Sequence, residues 1–142
     1  MDIGSHRLDV FLQLLGDVAT VKASVIDSPD YEAEQAATLL VQFNSGAHGI
    51  LQCYFGTVET PDRLEIIGTE GRITVEDLNH GDLMLSTSEG QQLESHPPAD
   101  NLHAPLISDF SAAVLEHRSP TISGPVGKRT NDLIRLAYED AQ

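Results

Sequence analysis

The 142-residue sequence predicts an α+β fold, an open and mostly antiparallel β-sheet with helices packed on one face. Three observations carry this expectation. Apolar residues recur with helical spacing at both ends of the chain. Between them stand short β-rich runs punctuated by turn residues. Those runs follow one another with no helical segment between them, which argues against an alternating βαβ arrangement.

The first helix is expected over residues 2–15, where Leu8, Val10, Phe11, Leu12, Leu14 and Leu15 cover more than one narrow stripe and imply a largely buried helix. Gly16 ends it. "VATVKASVI" alternates as a strand, with Ala19, Val21, Ala23 and Val25 on one face. After the acidic connection "DSPDYEAEQ", the runs "AATLLVQF" and "AHGILQCYF" flank the turn "NSG" and read as an antiparallel hairpin. "RLEIIG", "TEG" and "RITVED" repeat that design, and "DLMLST" and "QQLES" continue the meander, with Gly81 and Gly90 at turns.

From Leu102 the period changes. Leu106, Ile107, Phe110, Ala113, Val114 and His117 fit a helix whose first turn tolerates Pro105. "SPTISGP" breaks it, and a last helix runs from about Val126 to Ala141, with Leu133, Ile134, Leu136, Ala137 and Tyr138 apolar.

Composition narrows the function. A 40% hydrophobic content and this length fit one ordinary domain with a real core. Eight Lys and Arg against 22 Asp and Glu give a net charge of −14, which repels nucleic acid and anionic membrane surfaces. No apolar run approaches the ~20 residues of a membrane span. The start lacks the basic flank of a signal peptide, so the expected compartment is the cytoplasm. A single cysteine, Cys53, forbids an internal disulfide and reads as a packing residue in an apolar strand. The six histidines show no metal-ligand spacing, and four of them fall in predicted loops, strands or helix starts with no acidic partner at a fixed offset, so no metal is expected. Neither a Gly-x-Ser-x-Gly elbow nor a glycine-rich phosphate loop is present, so no cofactor-binding residue is expected in this chain.

Asp2 and His6 are the candidate site residues. Four apart, they share one helical face. Histidine changes charge near neutrality, a carboxylate nearby orients it and favours its protonated form, and the helix N-terminus opposes that form. An N-cap aspartate followed by a surface histidine explains the same spacing. Gly4 costs a helix about 1 kcal/mol relative to alanine; it fits either close approach by a ligand or a frayed helix start.

Together, "DIGSHRLDVFLQLLGDVATVKASV", "AATLLVQFNSGAHGILQCYF" and "LEIIGTEGRITVED", closing on "LIRLAYEDA", resemble the C-terminal domain of the glucose–fructose oxidoreductase / inositol dehydrogenase (Gfo/Idh/MocA) family. The resemblance covers nearly the whole chain. It implies that residues 1–142 form a single substrate-binding and oligomerisation domain of an NAD(P)-dependent oxidoreductase acting on a sugar, polyol or related compound. By the same resemblance Asp2 and His6 match the family's catalytic and substrate-binding Asp and His. The His accepts the hydroxyl proton, and the Asp binds substrate and orients the site. The family's glycine-rich dinucleotide loop and its Glu-Lys-Pro motif are not in this sequence. The expectation is therefore a missing N-terminal Rossmann domain, NAD or NADP in the full-length parent only, and an inactive isolated chain. A homo-oligomer through the open sheet face is also expected. The alternative from another class is a non-catalytic binding or dimerisation module lacking a cofactor domain.

Overall fold

Among the described residues, helical spacing at the two ends and alternation in the middle give three helices and seven strands, in the order expected. The computed structural model describes residues 2–58 and 62–142, with the side chains of Asp2 and Ile3 outside the description. The chain divides into two compact units, Met1–Val58 with Ile122–Gln142, and Glu59–Thr121.

In the first unit, α1 (Asp2–Leu15) precedes β1 (Val18–Asp27), β2 (Glu34–Phe43) and β3 (His48–Tyr54), and α3 (Gly124–Asp140) returns to them. The strands form an antiparallel sheet in the order β1-β2-β3. Alternation decides which face is buried. Leu39, Val41 and Phe43 of β2 and Leu51 and Cys53 of β3 point inward, where Leu8 and Leu12 of α1 and Leu133 and Ala137 of α3 cover them. The opposite face leaves Leu40, Ile50 and Tyr54 exposed, with Leu40 directly across from Ile50.

Details of this unit depart from the sequence reading. Ala19 is exposed, because a register shift between Val18 and Thr20 puts Val18 opposite Phe43 and turns Ala19 outward. Leu14 is exposed as well, so α1 is buried along one stripe, not all round. The hairpin turn lies at Asn44–Gly46 as expected, with Gly46 at φ +88°, a conformation that glycine adopts without strain.

Helix α1 sits close to β3. A Cβ built on Gly49 would lie 2.7 Å from Cε2 of Phe11. The Phe11 ring meets the edge of Phe43 with centroids 6.2 Å apart. Only glycine lets the helix approach to that depth.

The second unit is the meander β4 (Leu64–Ile67), β5 (Gly71–Val75), β6 (Asp82–Thr87) and β7 (Gly90–Ser95), followed by α2 (Ala104–Leu115). Every pairing is antiparallel. The strands of the chain thus fall into two sheets of one α+β architecture. Helix α2 stops at Leu115, short of His117, because His117 takes φ +54°. The Arg118 amide then donates to Ala113 O at 3.0 Å and the His117 amide to Val114 O at 3.4 Å, closing a Schellman motif. Within this unit Asp109 accepts from the Thr121 amide and the Arg118 guanidinium, which hold its carboxyl below the usual carboxylate range. Of the stripe read from sequence on α2, Ala113 is buried, while Leu106, Ile107, Phe110 and Val114 stay exposed.

Candidate functional site

His6 stands on the second turn of α1, exposed, its imidazole in no side-chain hydrogen bond among the described residues. It lines an open concavity of about 520 Å³ together with Ser5 and Asp9 of α1 and Lys128, Thr130 and Asn131 of α3. Asp2 belongs to the first turn of the same helix, four residues before His6. Its side chain lies outside the described residues.

The two walls are fixed to each other by polar contacts. Thr130, only 6% exposed, donates from its hydroxyl to Asp9 Oδ1 at 3.1 Å. Lys128 pairs with Asp132 one turn further along α3. Arg129 reaches Asp17 at 2.6 Å, just beyond the end of α1. At the far end of α3, Asp140 accepts from Lys22 at 2.5 Å and from the Ala23 amide at 2.8 Å, which hold its carboxyl below the usual range. Tyr138 donates to Glu34 Oε2 at 2.8 Å, and burial with that hydrogen bond pushes its phenol up to about 12.

The sequence missed the α3 wall. Asp9 was within reach, three residues after His6 on the same helical face. Thr130 lies 121 residues from Asp9, and no local pattern announces that contact. The histidine reading needs a correction: His80 Nδ1 lies 3.2 Å from Asp77 and His96 Nε2 lies 3.1 Å from Glu94, so two histidines do have nearby carboxylates. These are exposed, local pairs: Asp77 and His80 meet across a turn, and Glu94 and His96 lie two apart at the end of β7. Among the described residues no group of three His, Cys, Asp or Glu is placed to hold a metal. Burial pushes the Cys53 thiol up, which suits packing and not nucleophilic work. Among the described residues, no helix is long and apolar enough to cross a membrane.

The described strands pair only antiparallel, so these residues form no βαβ unit of the kind that seats a dinucleotide at a strand–helix turn. They do not fit a nicotinamide cofactor on their own.

Similar proteins place this architecture. D-apiose dehydrogenase of Rhizobium rhizogenes is 32% identical over 124 residues, 83% of this chain and 31% of that protein. An oxidoreductase from Agrobacterium radiobacter, solved in complex with NAD+, L-tartaric acid and magnesium, superposes with a TM-score of 0.84 at 25% identity, covering 99% of this chain and 46% of the other. UDP-N-acetylglucosamine 3-dehydrogenase from Acidithiobacillus ferrooxidans shares the fold, with a TM-score of 0.84 at 22% identity over 100% of this chain and 48% of its own. The chain thus spans about a third of that curated relative and under half of these solved chains. The model of the GFO/IDH/MocA C-terminal domain matches residues 1–74. With that match and the shared α+β fold, the chain belongs to the GFO/IDH/MocA family, as its C-terminal domain.

Proposed function

We propose that this chain is the substrate-binding and dimerisation half of an NAD(P)-dependent oxidoreductase acting on a sugar, polyol or related compound. His6 accepts the proton of the substrate hydroxyl, and Asp2 binds the substrate and orients the site. Hydride acceptance is the chemistry of a nicotinamide held by a Rossmann domain that precedes this one in the parent enzyme. The single observation that carries the reading is the setting of His6. It is an exposed imidazole, unpartnered among the described residues, in a polar concavity of about 520 Å³. An imidazole takes up protons near neutral pH, and a hydroxyl must lose its proton as its carbon is oxidised.

The exposed sheet face supports the second part of the proposal. Ile26, Leu40, Ile50 and Tyr54 are all exposed, and they come from all three strands of one sheet. An apolar patch of this kind is a candidate protein–protein surface. A second copy of the domain is the partner we assign to it.

The test joins this chain to its nicotinamide-binding half and follows reduction of NAD and NADP with a panel of sugars and polyols. Reduction with at least one member is expected. Silence across the panel with both nucleotides contradicts the proposal.

A further inference from the structure

We infer that Asn131 binds a substrate hydroxyl other than the reacting one and so sets specificity at the concavity containing His6. This rests on the functional reading above and adds a residue to it.

Gly124, Gly127, Lys128 and Asn131 stand at i, i+3, i+4 and i+7 on α3, which is one helical face, and all four line the concavity. Buried Thr130, bonded to Asp9, fixes the rotation of α3 against α1 and turns that face toward His6. The charged side chains of the concavity are already engaged. Asp9 accepts from Thr130, and Lys128 is paired with Asp132. Asn131 differs: its exposed carboxamide enters no side-chain hydrogen bond among the described residues.

A carboxamide offers donors and an acceptor without net charge. A hydroxyl, itself donor and acceptor, complements it well, whereas for a carboxylate or phosphate the lysine among the described lining residues, Lys128, is already paired with Asp132. Space is also present. A Cβ added to Gly127 would meet nothing within 4 Å. The occupant is therefore a neutral polyhydroxylated compound that reaches from His6 to the first turns of α3.

The experiment uses the full-length enzyme and a panel of sugars and polyols with their monodeoxy analogues. In the wild-type enzyme one deoxy position beyond the reacting carbon lowers kcat/KM by about five- to tenfold, the worth of a neutral hydrogen bond. Asn131→Ala lowers kcat/KM for the parent substrate by the same factor through KM and no longer discriminates against that analogue. Its melting temperature is unchanged, since Asn131 is exposed. Asn131→Asp keeps an acceptor oxygen and recovers part of the discrimination. If Asn131→Ala matches wild type on every member while His6→Ala loses turnover, the inference falls and the functional reading stands. If His6→Ala turns over normally, or no member reacts, the functional reading falls and takes the inference with it.

Discussion

The Thr130 hydroxyl donates to Asp9 Oδ1 across 3.1 Å and joins two helices whose bonded residues are 121 positions apart. Thr130 is buried and Asp9 only partly exposed, so removal of the donor leaves a carboxylate oxygen short of a partner. Thr130→Val keeps the shape and loses the bond. It should cost about 1–2 kcal/mol in urea unfolding, and Thr130→Ser, which keeps the hydroxyl, should cost less. A valine variant as stable as wild type would mean that the bond does not join the helices.

Gly49 and Phe11 make a second testable pair. An added Cβ would sit 2.7 Å from a ring that is already edge-packed on Phe43. Gly49→Ala should therefore destabilise the domain by about 1–3 kcal/mol through overpacking. Phe11→Leu in the same molecule should return part of that loss. Strictly additive costs in denaturant unfolding would show that the two residues do not meet.

These contacts mark the boundary of what the sequence discloses. Alternation in "AATLLVQF" and "AHGILQCYF" identified the inward residues, because a strand's faces follow from a period of two. The order of elements and the Asn44–Gly46 turn were legible for similarly local reasons. The exposure of Ala19 was not, since a bulge depends on the partner strand. Helix α3 starts at Gly124, two residues before the expected Val126: Gly124 and Pro125 look like breakers, yet a proline is tolerated within the first turn. At the site, spacing and family resemblance brought out Asp2 and His6. The wall that faces His6 comes from the other end of the chain, through tertiary packing alone.

Tyr138 should make stability alkali-sensitive. Its phenol is raised from an ordinary value of 10 to about 12 by burial and by the bond to Glu34. A raised acid is favoured protonated in the folded state. Its contribution is complete below about pH 10 and is lost as pH rises toward 12. Melting temperature should thus fall across that window more steeply for wild type than for Tyr138→Phe. Parallel pH profiles would contradict the bond's role.

The exposed face of β1–β3 should hold two copies together. Sedimentation at micromolar concentration is expected to give a dimer, which Ile50→Glu converts to monomer. Raised salt should favour the dimer by screening a net charge of −14 per chain. A wild-type monomer under these conditions would overturn the assignment.

The most direct test of the proposed chemistry is turnover of the full-length enzyme carrying His6→Ala, measured against pH beside Asp2→Asn. His6 is exposed and unbonded among the described residues, so the melting temperature should not move. Loss of a general base should lower the rate of the chemical step by about 10²–10⁴-fold, and Asp2→Asn, which keeps the shape, should shift activity and its pH profile. Near-normal turnover by the His6→Ala enzyme would contradict the account at its centre.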